Sequence, residues 1–152
     1  MDNELDALEN WVEPLLQRLG NTERRKLTRT IAVGLRRRQA DRIKAQKNPD
    51  GTPFEKRKPR KGGKRGHIKR QAAMFNKLRQ LRQMKVSSNA DSATVGFAGK
   101  AGRIARIHQE GELARVAPGG PLYQYPIRRL LGFSNDDREW VLDLLKDHLY
   151  HL

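Results

Sequence analysis

Residues 92–111, read SATVGFAGKAGRIARIHQEG, constrain the fold more than any other stretch of this chain. They open on an alternating apolar run, Ala93, Val95 and Phe97, the period of a strand with one buried face. They then pass through Gly96, Gly99 and Gly102 and resume as Ile104, Ile107 and His108. Upstream, Met84, Val86 and Ser88 alternate in the same way, and Ser88-Asn89-Ala90-Asp91 has turn composition. The pattern predicts a β-hairpin over about residues 84–98. The exit, residues 101–110, reads as helical or extended, and Gly111 ends it.

Helices are expected on either side. Asp2 or Asn3 can cap a first helix with Leu5, Leu8, Val12, Leu15, Leu16 and Leu19 on one face, kinked near Glu13 because Pro14 lacks an N–H. Gly20-Asn21 stops it. Thr22 is the expected cap of a second helix reaching about Gln46, with Leu27, Ile31, Leu35 and Ile43 as a narrow apolar stripe among arginines. Residues 48–53, NPDGTP, are turn chemistry. Helical periodicity returns over residues 68–83 through Ala72, Phe75, Leu78 and Leu81, and residues 122–125 before Pro126 suit a short edge strand. The last helix has the clearest signals. Ser134 and Asp137 form a capping box, and Trp140, Val141, Leu144, Leu145 and Leu149 share a face expected to dock on the hairpin. The fold class is α+β: N-terminal helices and a C-terminal helix on a small antiparallel hairpin, with a long basic loop. One domain over 1–152 is expected, divided into a helical part (1–46), a basic loop (47–70) and an α+β core (71–152).

Charge is distributed unevenly. The net charge is +15, yet residues 24–109 hold 26 Lys/Arg against Asp41, Asp50, Glu55 and Asp91, while the two ends hold 6 basic and 13 acidic residues. A basic middle between acidic ends points to contact with nucleic acid, an acidic protein surface, or the acidic ends of neighbouring copies. The charge concentrates in residues 56–70, where Lys56, Arg57, Lys58, Arg60, Lys61, Lys64, Arg65, Lys69 and Arg70 meet no acid. Gly62, Gly63 and Gly66 disfavour regular structure there, and such tracts order on an anionic surface. With 36% hydrophobic and 32% charged residues the core is small, so surface buried between copies would add stability. The absence of cysteine excludes disulfides and suits a reducing cytoplasm, and no apolar run approaches a signal or membrane span.

Convergent chemistry is sparse. His148 and His151 stand three residues apart, a metal-ligand spacing that a frayed helix end explains as well. His108 beside Gln109 and Glu110 reads either as a general base or as a hydrogen-bonded corner. Asp136 and Asp137 suit a divalent cation or a helix cap. Neither Gly63-Lys64 nor Gly99-Lys100 completes a phosphate-binding loop. No catalytic residue, metal or cofactor is expected. The rival class is a small basic protein making nonspecific phosphate contacts, although Phe54, Phe75 and Phe97 are the only Phe, Tyr or Trp within residues 24–109, so interleaved stacking platforms are missing.

The ordered set of short motifs resembles the phage virion-morphogenesis, or tail-completion, family of P2- and Mu-like contractile-tailed phages. It comprises Arg42-Ile43, NPDGTPF at 48–54, FNKLR at 75–79, VGF at 95–97, ARIHQEG at 105–111 and PIRRLLGF at 126–133 before a terminal helix. The resemblance implies a non-enzymatic virion protein, assembled in the host cytoplasm, that caps the head-proximal end of the tail and enables head joining. It also implies ring oligomers, hexamers favoured, that contact tail tube, sheath or neck proteins. Gly96, Phe97, His108, Gln109 and Gly111 are then expected structural or subunit-contact positions, the glycines permitting close approach of a neighbouring element.

Overall fold

Gly20, in extended conformation, is the N-cap of the longest helix, α1 (Asn21–Lys44), in a computed structural model that describes residues 13–14, 17–58 and 72–151. The expected cap, Thr22, lies inside the first turn instead. Gly20 makes no side-chain cap bond, and its carbonyl accepts from the Arg24 N–H at 3.0 Å. Leu27, Leu35 and Ile43 are buried as the stripe predicts, joined by Ala32 and Gln39. The helix stops two residues short of the expected end because Gln46 turns left-handed, at φ 59°, and bonds the Ile43 carbonyl through Nε2. The first helix falls almost wholly outside the described residues, and Leu19 at its end is buried. Residues 48–52 close a tight loop, with Asp50 Oδ1 accepting from the Thr52 N–H and hydroxyl. Asn48 Oδ1 accepts from the Arg129 N–H.

The expected helix over 68–83 is not formed where the chain is described. Residues 74–83 are a succession of turns. Phe75 adopts φ 66°, which interrupts a right-handed ladder. Of the predicted apolar positions only Leu78 is buried, Phe75 is half-buried and Leu81 is exposed, while Met74, outside that spacing, is buried as well.

The hairpin forms where predicted. β1 (Met84–Ser88) and β2 (Ala93–Phe97) pair antiparallel, Met84 opposite Phe97 and Ser88 opposite Ala93. Asn89 Oδ1 closes the turn by accepting from the Asp91 and Ser92 amides at 2.8 Å. Part of the basic face of α1 anchors this hairpin rather than facing solvent. Arg36 Nε donates to the Met84 carbonyl at 3.0 Å, Thr28 Oγ1 to the Asn89 carbonyl at 2.5 Å, and Arg24 to the Ala90 carbonyl and Asp91.

Of the two readings of the strand exit, the helix is correct: α2 spans Gly99–Glu110 and turns Ala101 and Ala105 into the core. Gly111 ends it at φ 66°. A Cβ on Gly111 would stand 2.7 Å from Ile127 Cγ1 and 3.2 Å from the Tyr125 carbonyl oxygen. Gly111→Val combines that overlap with a left-handed β-branched residue, so a loss of about 3 kcal/mol is expected, read as a lowered urea midpoint at unchanged m-value. Next comes a short ribbon, β3 (Leu113–Arg115) against β4 (Leu122–Gln124). The second of these strands was expected, the first was not.

The last helix, α3 (Asn135–Tyr150), carries the expected capping box, both reciprocal bonds at 3.0 Å. Its neighbour is α1, not the hairpin. Leu145 is buried with Leu27 and Leu19, and Val141, Leu144 and Ile31 pack half-buried around them. The hairpin face is already occupied. Met84 lies in a separate cluster with Ile43, Phe54, Met74, Leu78, Ala101, Ala105 and Leu130. Two small cores at opposite ends of α1 result, and α3 completes the one nearer its start.

Candidate functional site

Five rings from distant parts of the chain meet edge to face beside the root of the basic tract. Phe54 and Phe75 are 5.6 Å apart between centroids, Phe75 and His108 4.8 Å, His108 and Tyr125 5.0 Å, and Tyr125 and Tyr123 4.8 Å. Each is placed by a local device. Left-handed Phe75 inserts between Phe54 and His108, His108 sits in the last turn of α2, and Tyr123 and Tyr125 share the inner face of the β4 segment at two-residue spacing. Aromatics that do not interleave with basic residues in the sequence therefore converge in the fold.

Among the described residues, three cations border these rings. Arg128, only 4% exposed, donates through Nε to the Glu55 carbonyl at 2.6 Å and through Nη2 to the Lys56 carbonyl at 3.1 Å. Its Nη1 lies 3.2 Å from His108 Nδ1. Because a guanidinium only donates, Nδ1 accepts, which places the imidazole proton on Nε2. Burial, reinforced by the Arg128 charge, pushes His108 down to about 4, so the ring is neutral at pH 7. Arg57 donates to the Ala72 carbonyl at 2.5 Å, and Lys58 Nζ lies 5.4 Å above the Tyr123 ring. Together they form an open groove of about 660 Å³, floored by aromatics and lined by Arg57, Lys58 and Arg128, with no carboxylate among its described lining residues.

The other expected site residues divide by location. Arg60, Lys61, Lys64, Arg65, Lys69 and Arg70 lie outside the described residues. Gly96 sits opposite Lys85 in the hairpin, and a Cβ there meets open space. Phe97 packs half-buried against the main core. Gln109 binds the 130–131 backbone as a neighbouring strand would. Its Oε1 accepts from the Leu130 and Leu131 amides at 2.9 and 3.1 Å, and its Nε2 donates to the Leu131 carbonyl. His108 and Gln109, adjacent on α2, thus tie the 125–131 segment to the helix.

A second polar constellation was missed in the sequence. Asp137, read there as a cap or cation ligand, is 2% exposed and also receives Arg38 Nε at 2.7 Å and Arg42 Nη1 at 2.9 Å. Arg42 Nη2 donates to the Gly132 carbonyl and to Gln39 Oε1, which also accepts from the Gly132 N–H. With its carboxylate fully engaged, Asp137 serves as a structural anion. His148 and His151 have separate partners: His148 Nε2 lies 3.6 Å from Glu23, and His151 Nδ1 lies 2.7 Å from the Asp147 carbonyl. Among the described residues no group of three His, Asp or Glu is placed to hold a metal ion. No described helix is long and apolar enough to cross a membrane.

Arg128 could have been suspected from PIRRLLGF, where an arginine stands between apolar residues, but no periodicity marks it as buried. The model of the phage virion morphogenesis family matches residues 3–150. The chain is also 34% identical to tail completion protein S of Escherichia phage P2 over 149 residues, 97% of this chain and 98% of that protein. No solved structure matches it.

Proposed function

The chain belongs to the phage virion morphogenesis family, and on that premise we propose that it completes the phage tail as a structural subunit, without turnover. The observation that carries this reading is the near-full-length likeness to a tail completion protein. In the proposal the chain caps the head-proximal end of the tail as a ring of copies, hexamers favoured, and makes that end competent to join the head. The groove supports an interaction role, since it presents rings and fixed cations to a partner. The β3–β4 ribbon adds an exposed apolar face, with Leu113 and Leu122 more than half exposed. Arg57 and Lys58 line this groove, and the tract they belong to, residues 56–70, supplies a dense positive charge for an acidic tube, sheath or neck surface.

The test is complementation. A phage lacking the gene should produce filled heads and unjoined tails in electron micrographs, and the wild-type gene should restore whole particles. A variant lacking residues 56–70 is expected to fold, with an unchanged far-UV spectrum, yet to restore infectious particles at least about a hundredfold less well. Normal particle yields from the null phage would overturn the assembly role. Normal yields from the deletion alone would remove the tract from it.

A further inference from the structure

The aromatic groove is lined by rings and cations, and the chain itself carries a segment of complementary chemistry. Residues 1–13 hold five carboxylates, Asp2, Glu4, Asp6, Glu9 and Glu13, and no lysine or arginine. The same segment contains Leu5, Leu8, Trp11 and Val12, which suit a floor of rings and a rim of exposed Leu122 and Val116. We propose that the acidic N-terminal segment of one copy docks in the aromatic–basic groove of a neighbouring copy.

Geometry argues for a second copy rather than the segment's own groove. The segment leads into Leu19, which packs beside Leu27 and Leu145 at the start of α1. The groove lies past the other end of that helix, where Gln46 Nε2 donates to the Met74 carbonyl and Met74 lines the groove. The 24 residues of α1 separate the two ends by about 36 Å at about 1.5 Å per residue. If helical from residue 3 to the kink expected near Glu13, the segment would span only about 17 Å at about 1.5 Å per residue. It falls short of its own groove but can enter that of an adjoining subunit. Head-to-tail contact of this kind joins different surfaces of identical chains and closes into a ring when the rotation permits.

The inference rests on the assembly reading only for the presence of a second copy. Full-length chains are compared by sedimentation velocity at about 50 mM salt, where surface charge is weakly screened. Lys58→Glu, at an exposed groove position, and the double variant Glu4→Lys/Glu9→Lys should each weaken self-association about tenfold or more. Mixing the two variants in equal amounts should restore it, because each tail then meets a groove of opposite sign. An oligomer indifferent to both changes, or a mixture that stays dissociated, overturns the docking and leaves the assembly reading standing. A wild-type chain that is monomeric at every concentration overturns both. Tight binding of a labelled oligothymidylate that is lost in Tyr123→Ala would assign the groove to nucleic acid and also overturn the docking.

Discussion

Replacing Gly34 with alanine is expected to destabilise the fold by about 2 kcal/mol, although alanine is the better helix former by about 1 kcal/mol. The reversal comes from Trp140. A Cβ on Gly34 would lie 2.1 Å from Trp140 Cη2 and 2.5 Å from Cζ2, inside any permitted contact. A bicyclic ring held between α1 and α3 cannot yield by rotating a single terminal bond, so the helices must separate or the indole must leave its rotamer. Arg38, whose guanidinium lies 5.5 Å from the centroid of the same ring, would lose that contact as well. Urea unfolding measures the loss, and Trp140 emission should shift to the red. A second substitution isolates the mechanism. In a Trp140→Leu background Gly34→Ala should become neutral or stabilising, a non-additivity of about 2 kcal/mol that only direct contact produces. Additive losses would show that Gly34 matters for some other reason.

This glycine also shows where the sequence was legible. The hairpin, the capping box of α3 and the left-handed stop at Gly111 were all readable, because each is encoded within a few residues: alternation, Ser134 with Asp137, a glycine after an apolar run. Mid-helix Gly34 carried no such signal, since its partner lies on a helix more than a hundred residues later. The turns over 74–83 were misread for a related reason. Ala72, Phe75, Leu78 and Leu81 have helical spacing, but Phe75 leaves the helical region to reach rings at positions 54 and 108, and tertiary packing outweighs a weak local preference. The docking of α3 was misassigned because an apolar face states that burial occurs without stating against what.

The candidate site was legible as charge and not as shape. The concentration of lysine and arginine after residue 56 was plain, and its root does border the groove. The groove itself needs residues 54, 75, 108, 123 and 125 to converge, and no spacing rule connects them. His108 and Gln109 stand side by side in ARIHQEG, among the expected structural or contact positions. Their division of labour, one ring stacked and accepting from Arg128, one amide clamping residues 130–131, follows only from the path of the 125–131 segment across α2.

Asp137→Ala should be the most damaging single substitution among the polar residues, at about 3–5 kcal/mol, because it removes one anion from two cations and a helix cap at once. Burial alone would raise the carboxyl's pKa. The bonds from the Ser134 amide and hydroxyl, Arg38 and Arg42 outweigh that and hold it below its ordinary value. Arg42 is drawn down by its own burial yet keeps its proton, as guanidinium groups do in proteins. Removing the carboxylate leaves it 11% exposed with its main counter-charge gone. Asp137→Asn keeps the shape and an acceptor for the cap but loses the charge, and should cost roughly half as much. The sign of the pH dependence separates the two contributions. A depressed folded-state pKa means that the stabilisation is complete above the unfolded value, about 4, and is lost as pH falls through the lower folded value. Wild-type stability should therefore drop more steeply than that of Asp137→Asn below about pH 4, and the two curves should converge in acid. Parallel curves down to pH 2 would mean that the carboxylate is not the charged keystone joining α1 to α3.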